Sequence, residues 1–164
     1  MIILSFDVGI KNLAFCLLDS EKNILDWHII NCDSPNPTLK LIEELDTLDY
    51  LLCADLVLIE KQPSFNPKMR VIAAVLYVYF TMRIVHEQNK KIKIIYYHAK
   101  HKLKCSDFRM EFKTKNKYLQ NKKLAIEHTR ILITTHQDFY LKSKKKDDLA
   151  DCYLQAVSYI MWFS

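Results

Sequence analysis

Glycine is almost missing from this chain: its 164 residues contain one, Gly9, alongside four prolines. So little of either argues against long irregular loops and glycine-rich phosphate cradles, and for regular elements joined by short connections. The five cysteines (Cys16, Cys32, Cys53, Cys105 and Cys152) are odd in number and form no CxxC pair. A zinc knuckle or a disulfide scaffold is therefore not expected, and His98 and His101, three apart, have no cysteine pair to complete a zinc site. Several of the cysteines sit in apolar runs, where a free thiol behaves as a small core residue, so a reducing intracellular compartment is expected. The stretch from Val71 to Val85 is broken by Arg83 and falls short of the roughly 18 apolar residues of a bilayer span. The run MIILSF meets Asp7 too early for a signal-peptide core, so a soluble chain without a membrane segment is expected.

Hydrophobic residues are plentiful, at 50%, which excludes a disordered tail. The length fits one domain over residues 1–164 that buries its core without staples. Against 19 acidic residues stand 24 lysines and arginines, a net charge of +5 that favours an acidic partner.

Short apolar runs alternate with turn residues at the start. MIILSFDV (1–8), LAFCLLD (13–19) and ILDWHII (24–30) predict a three-stranded meander, with SEKN (20–23) as its second turn. TLKLIEELDTLDYLL (38–52) has helical spacing, DLVLIE (55–60) is a fourth strand, and a long helix is predicted over 68–88. KIKIIYYH (93–98) is a fifth strand, residues 100–117 are a polar surface loop or short helix, and 117–133 and 147–163 are helices. This order predicts an α/β fold: a mixed five-stranded sheet, its first three strands antiparallel, flanked by helices.

Three of these apolar elements carry acids at an end. Asp7 closes the first strand, Glu60 closes the fourth, and Asp148 and Asp151 open the last helix on one face. Each has a plain structural explanation as a strand-end acid, an ion-pair partner or a helix-dipole partner, and Asp147 is assigned the helix cap. Asp151, a turn inside an apolar helix, is less easily explained by capping. If the first and fourth strands are neighbours, four oxygen donors share a rim at the carboxyl ends of the strands, and a divalent ion relieves their repulsion. Two such ions, Mg²⁺ with Mn²⁺ as substitute, suit hydrolysis of a phosphodiester to a 5′-phosphate and a 3′-hydroxyl. The cluster of Lys144, Lys145 and Lys146 beside the acids is placed to bind the DNA backbone.

FDVGIKN, LIEKQPSFNPKM, KKLAIEH and KKKDDLADCYLQA, in that order, resemble the poxvirus and mitochondrial Holliday junction resolvases, relatives of bacterial RuvC in the RNase H-like superfamily. The resemblance runs from residue 2 to about 157 and looks most like a viral member. It implies an RNase H-like fold and a Mg²⁺-dependent homodimer that cuts four-way DNA junctions by symmetric paired nicks. It also implies Asp7, Glu60, Asp148 and Asp151 as metal ligands, and an active-site lysine after the fifth strand. HAKHKLK (98–104) offers Lys100, Lys102 and Lys104, of which Lys102 is favoured. Viral replication in the host cytoplasm is the expected setting, with nucleus and mitochondrion as alternatives.

Lys11 and Asn12 in the turn after Asp7, and Lys61 and Gln62 after Glu60, are further candidates for DNA contact. Phe65 is either local packing or a wedge at a junction centre. YVYF (77–80) reads as core or dimer face, its hydrophobic surroundings showing no basic groove for a single strand. The lysine-rich residues 113–123 are either a solvated face or a DNA contact. No small-molecule cofactor is expected. Competing functions are an RNase H-type nuclease for RNA–DNA hybrids, a non-catalytic junction-binding architectural protein, and a sugar kinase-like ATPase; the single glycine counts against the last.

Overall fold

The three N-terminal runs pair as their alternation predicts. β1 (Ile2–Asp7), β2 (Leu13–Asp19) and β3 (Ile24–Ile30) are antiparallel neighbours in the computed structural model, which describes residues 1–105 and 115–163. On the far side of β1, β4 (Leu56–Glu60) and β5 (Lys93–Tyr97) add in parallel, giving the order β3-β2-β1-β4-β5. The mixed α/β sheet expected above is the one found, with β1 and β4 adjacent at its centre.

Period-two alternation divides the apolar residues of the central strands between two cores. Leu4, Phe6, Val57 and Ile59 face α1 (Pro37–Thr47) and α2 (Pro67–Phe80). Ile3, Leu56 and Leu58 face the other layer, built from α3 (Lys117–Leu132), α4 (Gln137–Lys142) and α5 (Lys146–Phe163). Both faces of β1 are thus covered, which is why Ile2, Ile3, Leu4 and Phe6 are apolar on either side, with Ser5 the buried polar exception before Asp7.

Several boundaries differ from the sequence reading. The helix predicted over 38–52 ends at Thr47; Leu48 leaves helical geometry and Asp49–Cys53 form a 3₁₀ turn. The next helix starts with Pro67 and widens into π-type turns over Thr81–Glu87, where the Thr81 hydroxyl donates to the Tyr77 carbonyl. Pro67–Glu87 together make 21 helical residues, long and apolar enough by length and composition to cross a membrane. The expectation that this stretch is too short for a span therefore fails on length. Ile72, Leu76, Phe80 and Ile84 on it are buried against the sheet. Ala99–Lys104 form a 3₁₀ turn that runs into the segment 100–117, and residues 106–114 lie outside the described ones, with two residues of the lysine-rich run 113–123 among them.

Candidate active site

Two strand ends and one helix face meet at a single rim. Phe6 of β1 is level with Ile59 of β4, so Asp7 and Glu60 follow side by side, and alternation turns both toward α5. Gln155 fixes α5 against this rim. Its Nε2 donates to Ser5 Oγ at 3.0 Å and to the Phe6 carbonyl at 3.1 Å, and lies 3.4 Å from the Leu58 carbonyl. Trp27 on β3 adds a second tie, its indole N–H donating to the Leu149 carbonyl at 3.1 Å. Asp151, one turn before Gln155, and Asp148, three residues earlier, line the same cavity of about 360 Å³ as Asp7 and Glu60.

Lys102 completes the cluster. The 3₁₀ turn after β5 carries it inward until it is 3% exposed, whereas Lys100 stays on the surface. Its Nζ lies 2.9 Å from Glu60 Oε1, 3.1 Å from Asp7 Oδ1 and 3.7 Å from Asp151 Oδ2. Burial alone would lower the Lys102 pKa, but Asp7, Asp151 and Glu60 together hold it well above its ordinary value. Burial pushes Asp7 well up, against the pull of Lys102 and with the help of the Glu60 and Asp151 charges. Glu60 is also pushed up by burial, yet the Lys102 charge and hydrogen bonds from Lys102, Asp7 and Gln62 outweigh this and leave it lowered. Asp151 is raised, chiefly by burial, and Asp148 is pushed up to about 6 by burial and by Asp147.

These directions describe a cavity with more acid than Lys102, the buried ammonium among the described residues, balances. All four acids offer the hard oxygen donors that a divalent ion such as Mg²⁺ takes, so the donor set fits one in kind. Among the described residues no three acid, histidine or cysteine side chains close into a ligand shell. The Lys102 ammonium stands between three of the four acids.

The other sequence candidates are more scattered. Lys11 is exposed and paired with Asp33 at 3.2 Å. Half-buried Asn12 explains Gly9: a Cβ there would stand 2.6 Å from the Asn12 carbonyl oxygen, so the tight turn after β1 needs glycine for close backbone approach. Lys61 is exposed, and the Gln62 amide donates to Glu60 Oε2 at 2.9 Å. Lys144 and Lys145 are exposed at the head of α5; half-buried Lys146 opens the helix and donates to the Ser143 carbonyl at 2.6 Å. Asp147 is not the cap assigned to it. The helix begins one residue earlier, and Asp147 lies in its first turn, ion-paired with Lys122 of α3. Tyr118, Asn121 and Lys122 line the cavity too; the run 113–123 reads in sequence as a solvated face or a DNA contact, not as part of the acid site. Their only signal was helical spacing in KYLQNKK, which says nothing of what the helix faces.

An RNase H-like α/β fold with acids gathered on the rim of its central strands defines the class. The fold is shared, at identities that speak for the fold alone, with fowlpox virus resolvase in complex with Holliday junction DNA (TM-score 0.62, 22% identity, 98% of this chain and 97% of that one). It is shared likewise with the yeast mitochondrial Holliday junction resolvase Ydc2 (TM-score 0.63, 18% identity, 98% and 79%) and with Thermus thermophilus RuvC in complex with a Holliday junction substrate (TM-score 0.63, 12% identity, 97% and 92%). Residues 1–162 match the family described as Poxvirus A22 protein, and the chain belongs to that family. It is also 37% identical over 136 residues to the uncharacterized protein L451 of Acanthamoeba polyphaga mimivirus. That match covers 73% of this chain and only 33% of the mimivirus protein, so the chain spans about a third of that relative's length.

Proposed function

We propose that the protein is a metal-dependent endonuclease that resolves four-way DNA junctions by symmetric paired nicks. The observation that carries this is the convergence of Asp7, Glu60, Asp148, Asp151 and Lys102, from four separate segments, on one cavity in a chain of this family. Asp7, Glu60, Asp148 and Asp151 would hold two Mg²⁺ ions, with Mn²⁺ able to substitute. Bound there, the ions supply an activated water and charge stabilisation for in-line displacement at phosphorus, leaving a 5′-phosphate.

The chain's own residues do the rest. Lys102 neutralises the Asp7–Glu60 pair and keeps two buried acids side by side when repulsion would part them. Gln62 orients the Glu60 carboxylate, and Gln155 sets the register of α5 against both strands. Lys144, Lys145, Lys146 and Lys61 bind phosphates on either side of the scissile bond, with Lys11 and Asn12 at the neighbouring turn. The enzyme works as a homodimer through the exposed side of α2, where Val71, Val78, Met82 and Ile42 line an apolar depression. Two-fold symmetry then presents two sites to two strands of a two-fold substrate. Its setting is a reducing intracellular compartment, in keeping with five free thiols.

The test is a cleavage panel of four-way junctions, flaps, linear duplex and RNA–DNA hybrid, with Mg²⁺ and with chelator. Paired, ligatable nicks in the junction that need the metal are the expected result. Preferred cutting of the hybrid would favour the RNase H-type reading, and tight metal-independent binding without nicks would favour an architectural protein.

A further inference from the structure

A second concavity has in its wall Gln62, whose amide donates to Glu60 of the acid cavity. It encloses about 720 Å³, the size of a site for a small organic molecule, and its walls include Lys61, Gln62, Ser64, Arg70 and Tyr96. Among the described residues no acid lines it, in contrast to the carboxylate-rich cavity that holds Glu60. Among the described residues neither Lys61 nor Arg70 forms an ion pair, while Lys11, Lys90 and Lys122 all do. Tyr96 is level with Ile59 and so faces the α2 side, opposite its buried neighbour Tyr97. The ring of Tyr77 on α2 stacks on it, centroids 5.4 Å apart and planes 14° from parallel, and both rings remain partly exposed. YVYF is therefore split: Tyr79 and Phe80 are core, while Tyr77 backs a ring that faces a basic groove. Phe65, 85% exposed, stands on the loop between Glu60 and α2.

We infer that this groove binds an unpaired nucleotide of the DNA substrate, its base on Tyr96 and its flanking phosphates on Lys61 and Arg70. A ring face backed by a second ring is a rigid stacking platform, and only a base out of the helical stack can reach it. Two cations without acid partners supply the charge that a phosphate needs. The inference rests on the nuclease reading for its substrate: a nucleotide displaced at a strand crossing would lie here while the scissile phosphate lies beside Glu60.

The experiment is fluorescence anisotropy without divalent ions, using labelled octathymidylate, a four-way junction and a linear duplex. The variants are Tyr96→Ala, Tyr96→Phe and Arg70→Gln, all at exposed side chains. Tyr96→Ala should weaken binding of the oligonucleotide and the junction about tenfold while leaving the duplex unchanged. Tyr96→Phe, which keeps the ring, should bind as the wild type does. Arg70→Gln should lower the slope of log affinity against log salt by about 1 for the junction. Wild-type affinities in Tyr96→Ala and Arg70→Gln, with junctions still cut, would overturn the groove and leave the nuclease standing. Oligonucleotide binding that needs Tyr96, in a protein that neither binds nor cuts junctions, would overturn the nuclease and keep the groove.

Discussion

The Lys102 ammonium lies within 3.7 Å of three carboxylates and is almost wholly shielded from solvent. Lys102→Met removes that charge while keeping most of the volume, and leaves the acids buried without a counter-charge. It should cost about 3–5 kcal/mol in chelator, as breaking a buried ion pair does. Mg²⁺ should then raise the Tm of this variant more than that of the wild type, which differential scanning fluorimetry would measure. Asp148 gives a prediction of opposite sign. Its pKa stands raised to about 6 in the folded protein by burial and by Asp147, so the folded state holds the proton more tightly than the unfolded state. Stability from this group is therefore full below its unfolded value near 4 and is lost as pH rises through about 6. In chelator, Asp148→Asn should be more stable than the wild type at pH 7.5 and indistinguishable from it at pH 3.5. Equal differences in Tm at both values would contradict this origin of the shift.

Gln155 determines how α5 presents its acids. Gln155→Leu would leave the Ser5 hydroxyl and the Phe6 carbonyl without their buried partner, at about 1–3 kcal/mol. A loss of junction cutting larger than the loss of folded protein would mark it as a positioning residue for Asp148 and Asp151. Which elements exist was largely legible, because β1, β2 and β4 are short apolar runs bounded by turns and α3 and α5 are long. The six-residue α4 was not: it starts after His136 in the left-handed region, without the side-chain cap that marks a helix start. Asp7 and Glu60 were legible as acids ending buried strands. Resemblance pointed to a lysine in HAKHKLK but not to Lys102 in particular, since the lysines there alternate and spacing does not say which one a 3₁₀ turn will bury. The Tyr77–Tyr96 stack needed two tyrosines 19 residues apart, on different elements, to meet, and nothing local in YVYF or KIIYY announces that.

On the proposed function, paired nicks need two of these cavities on one substrate, so the assembly would matter as much as the site. The exposed apolar side of α2 is the surface that dimerisation would cover. Val78→Glu places a charge there, on a residue 57% exposed in the single chain. In sedimentation velocity the wild type should run as a dimer and Val78→Glu as a folded monomer, with nicks in a junction becoming unpaired. A dimeric Val78→Glu would move the interface elsewhere.

Asp7→Asn is the most direct measurement, because the residue sits at the centre of the acid cluster and keeps its shape when its charge is removed. With Mg²⁺ and a labelled four-way junction, the variant should bind as the wild type does on native gels and give no nicks on denaturing gels. Nicking at the wild-type rate would contradict the assignment of these carboxylates to catalysis.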